Sequence, residues 1–262
     1  MSERESWHKE IDLFLVAMGY FTRIPMPKWV EVDSDKLNKA SRYFGLVGLL
    51  VGLLSAIVFW LTQNWLPAGV SVLLAMLVGV LLTGGFHEDG LADTFDGFGG
   101  GWTAEDKLRI MKDSRLGSYG ALALILALLL KWQLLVELAL YDPVVAGSAL
   151  IVAHTVSRVV SASIIFSEKY VRDDETSKSK PLSQHQGINE LLILIASGVL
   201  VLLFLKGLAA LSLLLVMIGL RRLIIVIFRR QIGGYTGDTL GAAQQISEIV
   251  CYFVLLVVGN IL

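Results

Sequence analysis

The chain has 262 residues, 55% of them apolar and 17% charged, with a formal net charge of −1. A soluble domain carries about 25% charged residues. This composition, with a mean hydropathy of +0.69, therefore argues against a soluble enzyme, against a disordered chain and against a basic surface for nucleic acid. Cys251 is the single cysteine, which rules out an internal disulfide, and no Cys/His spacing suits zinc. Met1 to Asp12 is charged and lacks the apolar stretch of a secretory signal.

In chain order, residues 1–42 read as a cytoplasmic or interfacial segment, and 43–262 as one membrane-embedded unit. Ile11–Phe21 is apolar but too short to span, so it lies in the interface or folds back onto the bundle. Between Tyr43 and Phe86 there is no Asp, Glu, Lys or Arg. A spanning helix needs about 20 apolar residues, so this stretch holds two, broken at Gln63-Asn64-Trp65-Leu66-Pro67. Ser118–Leu140, Val144–Phe166, Ile188–Leu205, Leu208–Phe228 and Leu240–Gly259 follow. The expected architecture is an all-α polytopic bundle of about seven spans. The fifth and sixth are short and separated only by Lys206-Gly207, which admits a tight hairpin or a half-span.

Basic residues give the orientation. They gather before the first span, between the second and third (Lys107, Arg109, Lys112, Arg115), between the fourth and fifth, and after the sixth. The turns at Pro67 and Tyr141-Asp142-Pro143 have none. Under the positive-inside rule the N-terminus is cytoplasmic and the C-terminus outside. Val171–Gln186, rich in Asp, Glu, Ser and Lys, reads as a mobile cytoplasmic connector. Arg158, Arg221, Arg222, Lys131, Glu137 and Glu248 fall inside or near spans and must pair or snorkel. For Lys131 and Glu137, on the outer side, snorkelling is the expectation.

The informative stretch, Thr83-Gly84-Gly85-Phe86-His87-Glu88-Asp89-Gly90-Leu91-Ala92-Asp93-Thr94-Phe95-Asp96-Gly97, sits where the second span reaches the cytoplasmic face. Asp89, Asp93 and Asp96 are spaced i, i+4, i+7 and share one helical face. Three carboxylates there repel each other near lipid, which a cation relieves. Oxygen-only donors suit Mg²⁺ or Mn²⁺, and magnesium typically binds through carboxylates together with substrate phosphates. Glu88 lies off that face. His87 is open to two readings, a ligand or base and an interfacial histidine satisfied by a carbonyl.

Downstream, Lys112 and Arg115 are i, i+3 and face the same way. Arginine binds phosphate bidentately, and Arg115, at a span start, is the better placed toward the acids. A second cluster on the same face, Gln231-Ile232-Gly233-Gly234-Tyr235-Thr236-Gly237-Asp238-Thr239-Leu240-Gly241-Ala242, supplies Asp238 as a fourth carboxylate, in a glycine- and threonine-rich helix start suited to anions. Acids, a hard metal, cations and glycine turns at one interface describe phosphoryl-group chemistry. No Walker-type loop implies ATP hydrolysis. The donor is instead a nucleotide diphosphate ester that loses a nucleoside monophosphate. A membrane carrier, which expects acids near the midplane of several helices, and a CDP-alcohol-type lipid head-group transferase are the alternatives. Asp89-Gly90 with Ala92 and the later aspartates is partly similar to the latter.

The three segments 83–97, Lys112-Asp113-Ser114-Arg115-Leu116-Gly117 and Gly234–Ala242, with Thr22-Arg23-Ile24-Pro25 ahead of them, resemble the cobalamin synthase family, the adenosylcobinamide-GDP ribazoletransferases. The resemblance runs from about Phe21 to Glu248. It implies a membrane enzyme that uses Mg²⁺ to join adenosylcobinamide-GDP to α-ribazole or its 5′-phosphate, releasing GMP. It has small-molecule substrates and membrane lipid around it, and oligomerisation is left open. On this reading Asp89, Asp93, Asp96 and Asp238 hold the metal. Asp238 or His87 serves as base and Arg115 acts on the developing charge. Lys112, Arg158, Gly234, Thr236 and Arg23 bind substrate.

Overall fold

The computed structural model describes residues 3–172 and 185–259. Its helices are α1 (Glu3–Phe21), α2 (Ser34–Ala40), α3 (Phe44–Thr62), α4 (Ala68–Thr83), α5 (Phe86–Gly100), α6 (Ala104–Ile110), α7 (Ser118–Tyr141), α8 (Pro143–Ser167), α9 (Ile188–Leu202), α10 (Gly207–Ile232) and α11 (Gly237–Gly259). One 3₁₀ turn, Ser41–Tyr43, joins α2 to α3. Among the described residues there is no strand, only one parallel bridge between Tyr170 and Tyr235. Most of the connector expected over Val171–Gln186 lies outside the described residues.

Local chemistry sets the helix starts. Asp33 accepts from the Lys36 amide, Thr103 from Asp106, and Asp142 from Val144, with Pro143 in the first turn of α8. Each side-chain oxygen satisfies an amide that lacks an intrahelical partner. α8 is the central helix. Its small residues Ala146, Gly147, Ala149, Ala153, Ser157 and Ser161 are buried, and it packs against α3, α7, α9, α10 and α11. Close approach through small side chains is how helices associate in lipid. α10 instead exposes Leu208, Leu211, Leu215, Ile218, Leu223 and Val226, an apolar face suited to lipid.

Five helices are long and apolar enough to cross a membrane: Ser34–Thr62 taken through the 3₁₀ turn, α7, α8, α10 and α11. The α4–α5 pair, bent by 86°, makes a sixth if counted as one span. All seven apolar segments expected from the sequence are helical, but α9 has only 15 residues, about 22 Å at 1.5 Å per residue, against a hydrocarbon core of about 30 Å. The expectation of seven full spans is corrected to that extent. The stretch Ile11–Phe21 folds back as the second half of α1. Val16, Ala17 and Phe21 pack with Leu37, Phe44 and Val47, and Arg42 donates to Glu10 and, at 2.5 Å, to Glu190.

Lys131 departs from the snorkelling expectation. It is 5% exposed and its Nζ lies 2.8 Å from Glu248 Oε1 across the α7–α11 interface. A charge part-way along a spanning helix is tolerated when it is paired inside the bundle. Glu137 stays exposed and accepts from Gln133 at 2.6 Å.

Candidate active site

The site begins at the α4–α5 bend. Gly84 and Gly85 both have positive φ, 68° and 71°, a region that costs little only without a Cβ. Two such residues in succession turn α5 by 86° from α4. The Arg23 amide donates to Leu82 O at 2.7 Å, and its guanidinium lies over the bend, where a Cβ on Gly84 would sit 2.3 Å from Arg23 Nε.

α5 then crosses α11 with their backbones nearly touching. A Cβ on Gly90 would lie 2.8 Å from the Asp238 carbonyl oxygen, and one on Gly241 3.2 Å from Gly90 Cα. This crossing brings Asp238 beside the α5 acids. The charges of Asp238, Asp89 and Asp96 all bear on Asp93, opposed by that of Arg172. Replacing Gly90 by valine is expected to force the helices apart, and turnover at this site by the inserted protein should fall by up to about 100-fold, the cost of misplacing a group by about 1 Å. Unchanged turnover in that variant would mean that Asp238 is not needed at this distance.

Asp238 is set by its own turn. The Thr236 amide donates to Thr239 Oγ1 at 2.8 Å, and the Thr239 amide to Thr236 Oγ1 at 3.2 Å. Upstream, the Tyr170–Tyr235 bridge is closed by Val171 N to Tyr235 O at 3.1 Å and Tyr235 N to Lys169 O at 3.0 Å. That pairing delivers Arg172, whose Nη2 meets Asp238 Oδ2 at 2.7 Å. Arg23, Glu88, Asp89, Asp93 and Ser114 share a cavity of about 740 Å³, within the range of small-molecule sites.

The model of the cobalamin-5-phosphate synthase family matches residues 13–256. The chain belongs to this family. It is 99% identical over 262 residues to a Shewanella baltica (strain OS195) protein named adenosylcobinamide-GDP ribazoletransferase, covering all of both chains. A Shewanella oneidensis protein of the same name is 92% identical over the same full length. No solved structure matches the chain.

Within this cobalamin-5-phosphate synthase fold the expected site residues divide. Asp89 and Asp93 line the cavity, as does Arg23. Asp96 is on their helix but only 8% exposed, and both its oxygens are engaged. Oδ2 accepts from the Gly117 amide at 2.7 Å and Oδ1 from Gly120 at 2.8 Å, so it caps α7 from a neighbouring helix, where an anion meets the positive end of the dipole. Of the three aspartates expected on the ligand face, Asp89 and Asp93 stand in the cavity wall and Asp96 is held on the start of α7. Asp96→Ala should lower stability by about 1–3 kcal/mol, read as a lower melting temperature in detergent, and Asp96→Asn by less. An unshifted melt for Asp96→Ala would contradict the capping role.

His87 does not line the cavity. It is 2% exposed and stacked near Phe21 and Phe44, off the cavity wall that Asp89 and Asp93 line. Arg158, 1% exposed, donates to the His154 carbonyl at 2.9 Å inside the bundle, and it too is absent from the cavity wall. Arg115 and Lys112 are exposed. The Arg115 guanidinium, hydrogen-bonded to Asp113, holds that carboxyl down at about 2, and neither cation reaches the cavity. Thr236 and Gly234 are buried and act as scaffold: Thr236 fixes the turn, and Gly234 packs on Lys169 O. Glu88, which the spacing puts off the aspartate face, stands in the cavity wall and accepts from Gln245 Nε2 at 3.0 Å. Arg172 was hidden at the edge of a connector without a recognisable pattern.

Proposed function

We propose that the chain joins adenosylcobinamide-GDP to α-ribazole or α-ribazole 5′-phosphate, with release of GMP, as the last step of nucleotide-loop assembly. The observation that carries this is the Gly90–Gly241 crossing, which sets Asp238 against Asp89 and Asp93 beside a cavity that Arg23 also lines. Full-length relatedness to proteins named for that activity supports it. The carrier and lipid head-group alternatives have no comparable support.

In this reaction the ribose hydroxyl oxygen bonds to the phosphorus that carries cobinamide, and its proton passes to a base such as Asp238 and on to the departing phosphate. The bond from that phosphorus to the bridging oxygen breaks, and GMP leaves with the oxygen. The donor set is all oxygen, which suits Mg²⁺. Among the described residues no three His, Cys, Asp or Glu side chains form a ready metal group, and magnesium shared with substrate phosphates needs only one or two carboxylates. One or two of Asp89, Asp93 and Asp238 would hold it, and it would supply charge neutralisation on the diphosphate. Arg23, over the Gly84–Gly85 bend, would bind a phosphate oxygen and orient the donor. Asp96, by fixing α7 to α5, keeps the Ser114 loop at the cavity edge.

The same reading places the N-terminus and the cavity on the cytoplasmic side, because the cationic segments flank this face. Incubating the purified protein in liposomes with both substrates and Mg²⁺ tests it. GMP release with formation of the joined product is expected. Substrate uptake without GMP, or turnover of a CDP-activated lipid instead, would refute it.

A further inference from the structure

Arg172 belongs to no pattern that the sequence offered, yet it is the one cation held directly on a carboxylate of this site among the described residues. Its Nη2 lies 2.7 Å from Asp238 Oδ2 and 3.4 Å from the Met111 carbonyl. Only 16% of its side chain and 21% of that of Asp238 are exposed. Its Nε is buried and meets no acceptor among the described residues. The backbone pairing at Tyr170–Tyr235 sets it there.

A half-buried guanidinium with an unsatisfied N–H has donor capacity left over. One edge neutralises a carboxylate whose charge, like that of Arg172 itself, acts on the cavity-lining Asp93. We infer that Arg172 is a phosphate-binding residue of this site, held on Asp238 until the donor's diphosphate draws its guanidinium over and leaves Asp238 to the metal. This rests on the proposed function above, because it takes Asp238 as part of a metal and diphosphate site. The two partners suit an exchange: arginine binds carboxylate and phosphate with the same planar fork, and a carboxylate that loses a cation regains affinity for another.

The test uses the full chain in detergent, with Mn²⁺ and GDP as probes. Without nucleotide, Arg172→Gln should bind Mn²⁺ about threefold or more tightly than wild type, because a competing charge is gone. It should bind GDP about tenfold or more weakly, because a charge-assisted contact is lost. Arg172→Lys, which keeps the charge but not the fork, should keep wild-type Mn²⁺ affinity and show intermediate GDP binding. A residue with only a structural role would not move the two affinities in opposite directions. If wild type releases GMP from adenosylcobinamide-GDP while Arg172→Gln matches it in either affinity, the inference is overturned and the proposed function stands. If wild type releases no GMP, both fall.

Discussion

Asp93→Asn should abolish GMP release, lowering kcat by at least about 100-fold, while the protein still inserts and melts near the wild-type temperature. Asp93 lies on the cavity wall, one turn along α5 from Asp89, and its partial burial first, then the like charges of Asp238, Asp89 and Asp96, disfavour its ionised form. Such crowding is unfavourable unless a cation or substrate compensates it, so removing one charge should leave the fold unharmed or slightly relieved. The loss should then sit in chemistry and not in assembly. The check is a paired measurement on one preparation: GMP formation at saturating substrates and Mg²⁺, and the thermal midpoint in detergent. Wild-type turnover would remove the metal role. A collapsed melting curve would show instead that the carboxylate serves the fold. Asp96→Asn is the internal contrast, since its carboxylate is spent on Gly117 and Gly120. Its larger effect should be on stability, so the two substitutions on one helix are expected to separate.

That separation marks where reading the sequence stopped. The i, i+4, i+7 spacing fixes which face of α5 the aspartates share, because helical period is a local property. It cannot say what packs on each turn of that face, and the α7 N-terminus covers one of the three positions. The membrane helices were legible for the same local reason, through apolar length. The meeting of Asp238 with the α5 acids was expected from their shared membrane face, but its cause, two glycines allowing backbones to touch, is a tertiary fact. Arg172 was not legible. Its position depends on the Tyr170–Tyr235 bridge, a single long-range pairing with no periodic signature. Charges within spans were legible as a problem without a visible solution: Lys131 is answered by Glu248 from the last helix, far along the chain.

Lys131→Met should destabilise the folded bundle by about 3–5 kcal/mol, the cost of leaving one member of a buried ion pair without its partner. Glu248 is 2% exposed. Its Oε1 also accepts from Tyr252 at 3.2 Å and its Oε2 from Gln244 at 2.7 Å, while the His154 ring stands 3.6 Å from Oε2 and the buried Arg158 charge also acts on it, so the loss should fall at the low end of that range. Exchanging both, Lys131→Met with Glu248→Leu, should recover part of the loss, since an apolar pair avoids the desolvation of both ions. Recovery stays partial because Gln244 and Tyr252 then lose an acceptor. Denaturant titration in detergent of the two single variants and the double variant gives the coupling directly, and additive losses would show that the pair is not a unit. The same lysine donates to Gln245 Oε1 at 3.1 Å, and Gln245 donates to Glu88 in the cavity wall. A stability defect in Lys131→Met should therefore come with slower GMP release even below the melting transition. Glu248→Leu alone keeps the Lys131–Gln245–Glu88 chain and should slow turnover less for an equal loss of stability.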